Sequence, residues 1–389
     1  MKITHICLSG PVTDYWHYQD NLLPKYHKKN GHDVSLITSK YIYDFNGNII
    51  KDDRDNYVNE NGIKIIRLQI KKNRPFQNKF KRYHQLDKTL IEEKPDILFI
   101  HSVQFLDINT IIKYLKLNAK VKVYIDNHAD FNNSASNWLS KKILHKIIWK
   151  HYANKIEPYT SMFYGVLPAR VDFLIDVYKL PKNKVDLLVM GADDDYVHIA
   201  KDKEKIIELR KKYSVEENQY LLITGGKIDL AKTSTLTLMK AIYQLELNVK
   251  LIVFGPVVKE LWNSFIKLVD NDCIIHIPWL NIEDSYYHFG ASDLAVFLGR
   301  HSVYWEQTLG IGVPMLVKSW QGMDHMNING NVYYINDVTE DEIVNKLHSI
   351  LTKENLTLMR KAAKEASPHF LYSNIALKSL NYQNKFDNS

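Results

Sequence analysis

Short apolar runs recur along the first half of the chain, at residues 3–8, 34–38, 63–68, 97–101, 121–126, 162–166 and 185–190, with stretches of helical spacing between them. Runs with no polar alternation read as strands covered on both faces, and strands alternating with helices predict a parallel sheet. The pattern restarts at Tyr220, with runs at 220–224, 251–254, 273–277, 294–298 and 315–317 and helices over 234–245 and 340–351. This predicts an α/β protein of two doubly wound domains in tandem, meeting near Gly191-Ala192-Asp193-Asp194-Asp195. The expected boundaries are 1–190 and 191–369, with a last helix over 370–389 packing back on the first domain. In open sheets of this kind ligands bind beyond the carboxyl ends of the strands, so two such domains facing each other would enclose a cleft with two half-sites.

Size agrees with that division, since 389 residues at 45% hydrophobic content exceed one ordinary core. Cys7 and Cys273 lie far apart in apolar runs, which predicts buried thiols in a reducing compartment and no disulfide framework. Residues 1–8 form too short an apolar run for a signal peptide, and no run approaches a membrane span, so the expected location is cytoplasmic. The net charge of +7 is unevenly placed. Lys71, Lys72, Arg74, Lys79, Lys81 and Arg82 surround Phe76, Phe80 and Tyr83, while Lys141, Lys142, Lys146 and Lys150 surround Trp138, Ile143, Ile147 and Trp149. Such segments fit the anionic inner face of a membrane, as a peripheral contact, or solvated helix faces above a core. No nucleic-acid module accompanies the charge, so no nucleic-acid partner is expected.

Candidate chemistry sits at strand ends. The run ending at Thr224 leads into Gly225-Gly226-Lys227 and on to Lys232, where glycines permit close backbone approach and two lysines can neutralise a diphosphate without a metal. The run ending at Leu298 leads through Gly299-Arg300-His301-Ser302-Val303 into a helix with Glu306 in its first turn. That turn suits an anion, and Glu306 offers an acceptor for sugar or ribose hydroxyls; it equally suits a helix whose cap is Ser302. In the first half, the strand ending at Asp126 is followed by Asn127-His128-Ala129-Asp130, a histidine between carboxylates that can hydrogen-bond a substrate or serve the fold alone. The sequence contains no G-x-G-x-x-G, Walker loop, zinc-spaced His/Cys set or G-x-S-x-G elbow, which argues against dinucleotide oxidoreductases, NTPases, zinc enzymes and serine hydrolases.

Taken in order, these segments resemble the retaining family 4 glycosyltransferases of the GT-B fold, over nearly the whole chain. Gly31-His32-Asp33-Val34 is similar to the family's G-H-x-V, Gly191-Ala192-Asp193 to its G-[VA]-D, Gly226-Lys227 with Lys232 to its G-R-L…K, and Gly255-Pro256 to its G-x-G-P turn. The stretch from Tyr286 to Phe297 resembles Y-x-x-A-D-x-x-x-x-P, and Glu306 with Gly312-Val313-Pro314 falls at the second glutamate and G-x-P. The family's first glutamate, eight positions earlier, falls on Leu298 or near Gly299 to His301, with Arg300 or His301 as its replacement. Ser9-Gly10-Pro11 stands where a glycine-rich turn is usual, and Gln321-Gly322-Met323-Asp324-His325 lacks the usual glutamate.

The resemblance implies transfer of a sugar, with retention and without a metal or other cofactor, from a nucleoside-diphosphate sugar, a UDP-sugar in first place. The acceptor would be a hydroxyl of a saccharide or lipid-linked glycan, in the synthesis of capsule, lipopolysaccharide or another bacterial surface glycan. It implies His128, Lys227, Lys232 and Glu306 as catalytic residues. Gly225, Gly226, Pro278, Arg300, His301, Ser302 and Val303 join both lysines and Glu306 on the donor side, and Gly10, Asp14, Asp126 and Asp130 lie on the acceptor side. Two other readings share the fold: a non-catalytic partner or chaperone of another transferase, and a nucleotide-sugar 2-epimerase.

Overall fold

The structure is a computed structural model that describes residues 1–44, 47–71, 80–129 and 140–381, with the backbone alone over 140–143. The chain forms two compact units, Met1–Val189 together with the stretch from Ile375, and Met190–Asn374.

The first unit contains β1 (Lys2–Cys7), β2 (Asp33–Ser39), β3 (Tyr41–Tyr43), β4 (Ile49–Lys51), β5 (Asn56–Val58), β6 (Lys64–Leu68), β7 (Ile97–His101), β8 (Lys122–Asn127), β9 (Met162–Gly165) and β10 (Val185–Leu187). Its main sheet has the order β10-β9-β8-β7-β1-β2-β6-β5. Neighbours are parallel apart from β5, which runs antiparallel to β6 at the edge, and β3 and β4 pair as a separate antiparallel ribbon. These short pieces escaped the hydrophobic pattern because they carry little buried surface; every residue of β4 is exposed. By contrast β7 is buried throughout, and Leu98 and Ile100 meet Ile111, Phe163 and Phe173 in the core. Strand order reverses between β1 and β7, so the crevice beyond their carboxyl ends is this sheet's switch point.

The second unit contains β11 (Tyr220–Gly225), β12 (Val249–Phe254), β13 (Ile274–Ile277), β14 (Leu294–Phe297), β15 (Met315–Lys318) and β16 (Val332–Ile335). They form one parallel sheet in the order β13-β12-β11-β14-β15-β16, with the switch point between β11 and β14. The helices Ser234–Gln244 and Glu340–Ile350 lie within two residues of their sequence-derived limits and bury Leu238, Ile242, Ile343 and Leu347 against the sheet.

The basic segments are partly drawn into the first core. Tyr83 and Trp149 are core residues and Phe80 packs on them, while the Lys81 ammonium donates to the Ser9 carbonyl. Lys72, Arg74, Phe76, Lys79 and Trp138, and the side chains of Lys141, Lys142 and Ile143, lie outside the described residues. The last described helix is Tyr372–Ser379, shorter than the 370–389 expected. Its end is tied to the first unit, where Tyr124 Oη donates to Leu380 O at 3.2 Å and Tyr164 Oη to Asn381 Oδ1 at 2.9 Å. Among the described residues no helix is long and apolar enough to cross a membrane.

Candidate functional site

At the second unit's switch point, β11 ends in Gly225 and the chain turns through Gly226, whose φ of 100° favours glycine. A Cβ on Gly226 would come 2.9 Å from Lys232 Nζ, and one on Gly299, just after β14, 3.1 Å from Lys232 Cγ. The side chain of Lys232 therefore crosses from one strand end to the other over two residues that have none. Burial lowers its pKa, and the nearby charge of Asp229 offsets this only in part. Among the described residues no carboxylate is in hydrogen-bond contact with this partly dehydrated ammonium, a setting that suits an anion. Lys227 stands exposed on the same loop.

On the β14 side, the helix Tyr304–Ile311 is preceded by Ser302 and Val303, whose backbone N–H groups find no acceptor among the described residues. Ser302 Oγ accepts from Tyr304 N at 3.4 Å, so the serine also supports the turn. The aromatic ring of Tyr304 closes the floor beside Gly226. Lys232 and this helix start thus meet at one switch point, with Lys227 on the adjoining loop, a setting in which backbone donors and cations can hold phosphate.

Glu306 differs from the open carboxylate expected for a ribose ligand. It is fully buried, and its Oε1 accepts from His301 Nε2 at 2.6 Å. Among the described residues its Oε2 has no hydrogen-bond partner, and the ring of His325, whose nitrogens are buried, lies near enough to feel its charge. The helix turns Glu306 inward while His301 folds back over it, so the side chain with a solvent edge is the imidazole. Pro278 is exposed beyond β13, next to Trp279, whose ring is 73% exposed. Sequence reasoning passed over Trp279, although a lone tryptophan at a strand end is a legible signal for stacking.

In the first unit, β7 and β8 are paired so that His101 lies opposite Asp126, at the carboxyl edge next to the switch point. Asp126 Oδ2 accepts from His101 Nδ1 at 2.8 Å and Gln19 Nε2 at 3.2 Å, and His128 Nε2 lies 3.5 Å away. Asp126 is completely enclosed and His128 is 40% exposed, so the carboxylate orients the histidine that faces solvent. Behind them runs a chain no motif signalled. His101 Nε2 bonds His5 Nδ1 at 3.0 Å, His5 Nε2 bonds His27 Nδ1 at 2.9 Å, and His27 Nε2 meets Ser379 Oγ at 2.8 Å and Ala376 O at 3.2 Å. His5 and His27 lie in element interiors, where residue type alone suggests filling.

Hydrogen-bond direction fixes the protons. Ser379 Oγ donates to Ala376 O, so His27 Nε2 must be the donor to both, and a singly protonated His27 accepts at Nδ1 from His5 Nε2. His5 then accepts at Nδ1 from His101 Nε2, while His101 Nδ1 donates to a carboxylate that accepts only. The chain therefore carries one proton beyond neutrality, and it resides on His101. Burial opposes that charge, but the Asp126 carboxylate outweighs it and raises the His101 pKa. Reciprocally, burial would raise the Asp126 pKa, yet His101 and His128 hold it below the usual carboxylate range. His101, Asp126 and His128 place potential ligand atoms within 4.8 Å of one another. Both nitrogens of His101 are already hydrogen-bonded, so the cluster reads as a proton network rather than a metal cage.

Acid should weaken this arrangement. Burial lowers the His27 pKa to about 3, and burial followed by the charges of His27 and His101 lowers that of His5. As pH falls from about 6.5, the unfolded chain binds protons that these two histidines refuse, so stability declines by up to about 1.4 kcal/mol per pH unit for each. As pH rises through the raised His101 value, the stability contributed by its imidazolium is lost instead. Urea midpoints at pH 7.5, 6 and 4.5 check the acid limb, and a flat series would overturn it.

The remaining acceptor-side residues separate. Space is open around the Gly10 α-carbon. Asp14 accepts from Tyr57 Oη at 2.8 Å and Arg54 Nη2 at 2.9 Å, so it belongs to a structural network with Asp52 and buried Arg67 instead of facing an acceptor freely. Asp130 lies outside the described residues.

No protein-family model matches the sequence, and no curated protein matches it. Solved structures do. A glycosyltransferase from Rickettsia africae is similar over 100% of this chain and 99% of its own, at 15% identity and a TM-score of 0.67. Anabaena Alr3699/HepE in complex with UDP-glucose is similar over 98% of each chain, at 15% identity and a TM-score of 0.65. The catalytic domain of starch synthase IV from Arabidopsis thaliana, bound to ADP and acarbose, is similar over 97% of this chain and 99% of its own, at 15% identity and a TM-score of 0.60. At such identities the shared property is the fold, which is the GT-B architecture of two Rossmann-like domains.

Proposed function

We propose that this protein is a glycosyltransferase that moves a sugar from a nucleoside-diphosphate sugar to a hydroxyl of a saccharide or lipid-linked glycan. The observation that carries the reading is the partly dehydrated Lys232 ammonium at the β11/β14 switch point, beside N–H groups of Ser302 and Val303 that find no acceptor among the described residues. When the sugar–phosphate bond breaks, negative charge gathers on the β-phosphate as the sugar becomes oxocarbenium-like. Preorganised cations and N–H donors lower the barrier because they need no rearrangement as that charge develops. Lys227 and Lys232 do this here, His301 held by Glu306 meets ligand hydroxyls, and exposed Trp279 offers a face for the base.

In the first unit His128, oriented by Asp126, serves the transferred sugar. Uracil is the base in this proposal, supported by the fold's occurrence in proteins solved with UDP, UDP-glucose and UDP-2-fluoro glucose. Retention of configuration, independence from metal and a role in bacterial surface glycans follow from the family resemblance and are part of the same proposal. Incubation with UDP- and ADP-sugars, with and without saccharide acceptors, tests it by release of nucleoside diphosphate. An epimerised sugar without release would point to the epimerase, and binding without reaction to the silent partner; either would overturn the transferase reading.

A further inference from the structure

A cavity of about 370 Å³ opens in the second unit, lined in part by Thr233, Ser234, Thr237, Arg300, Lys318 and Trp320. Its volume lies within the range of small-ligand pockets, about 300–1,000 Å³. No carboxylate lines it, although two cationic side chains do. Arg300 makes no ion pair among the described residues, and Lys318 Nζ rests 4.8 Å from the centre of the Trp320 ring. The indole is fixed in turn, because Trp320 Nε1 donates to Gly299 O at 3.2 Å. Arg300 follows Gly299, against which the stem of Lys232 packs, so the cavity adjoins the phosphate-suited loop.

We propose that this cavity takes the carboxylate of an acidic sugar, making the preferred donor a nucleoside-diphosphate uronate. This rests on the donor reading given above and goes further by naming the sugar class. A planar guanidinium presents two parallel N–H groups that match a carboxylate, and a lysine beside it adds charge. The hydroxyls of Thr233, Ser234 and Thr237 can bond ring hydroxyls, while the indole face suits the C–H side of a pyranose. A carboxylate at Arg300's position would repel such a group; the cation selects it. Arg300 is exposed and Lys318 half-buried, so a neutral sugar in the same place would forgo the charge-assisted contact that a uronate gains.

Binding of UDP, UDP-glucose, UDP-galactose, UDP-glucuronate and UDP-galacturonate to the full chain, measured by calorimetry, tests the assignment. At least one uronate should bind about 10- to 100-fold more tightly than its neutral counterpart, the range for hydrogen bonds to a charged group. Arg300→Gln and Lys318→Gln should each shrink that uronate-to-neutral ratio. Equal affinities for uronate and neutral sugar, or a ratio unmoved in both variants, would overturn the uronate assignment and leave the donor reading standing. Failure of UDP and every UDP-sugar to bind would overturn both.

Discussion

Asp126→Ala should remove about 3–5 kcal/mol of stability, because it leaves the buried His101 imidazolium without its counter-ion. His101 and Gln19 lose their shared acceptor at once, and His101 can restore neutrality only by giving up the proton that the chain through His5 and His27 is built to hold. Asp126→Asn keeps an acceptor oxygen and should fall between the variant and the native protein. Urea denaturation at pH 7 gives the stability change. Histidine ¹⁵N shifts give the proton count: one imidazolium at pH 7.5 in the native chain, assigned to His101, and its loss in Asp126→Ala. An Ala variant within about 1 kcal/mol of native would contradict the buried ion pair.

Lys232→Met should lower kcat about 10²- to 10³-fold, comparable to losing one preorganised donor for a developing oxyanion. Methionine keeps the stem that packs on Gly299, so the variant should fold with native stability and isolate the charge. The loss should fall on kcat more than on KM if Lys232 meets the charge that appears on bond breaking, and on KM alone if it only anchors the ground state. A wild-type kcat would remove Lys232 from the chemistry.

Alternation of apolar runs and helices was enough to read two Rossmann-like sheets, because buried parallel strands leave an unbroken hydrophobic signature. The edge pieces β3, β4 and β5 left none, since edge strands are half-solvated and short. At the site, the glycines and lysines after β11 and the turn after β14 were legible as phosphate-suited loops. That Lys232 spans both was not, because the adjacency of β11 and β14 is a property of the sheet. Glu306 shows the limit more sharply. Its place in the first helical turn could be read from spacing, whereas its burial depends on how His301, five residues earlier, folds across it. His5 and His27 were invisible for a similar reason: a histidine among apolar residues gives no sign of which partner it meets.

The acceptors for His27 Nε2 stand at Ala376 and Ser379, some 350 positions later in the chain. A ribosome adding about 5–20 residues per second needs roughly 20–70 s to cover that distance. From the completion of β8 until the chain reaches Ala376, the nascent first unit has its strands β1, β7 and β8 but no terminus for the histidine chain. The excess proton can therefore settle into its final place only once Ala376 and Ser379 have been made, so a late stretch of the chain completes an early-made part of the fold.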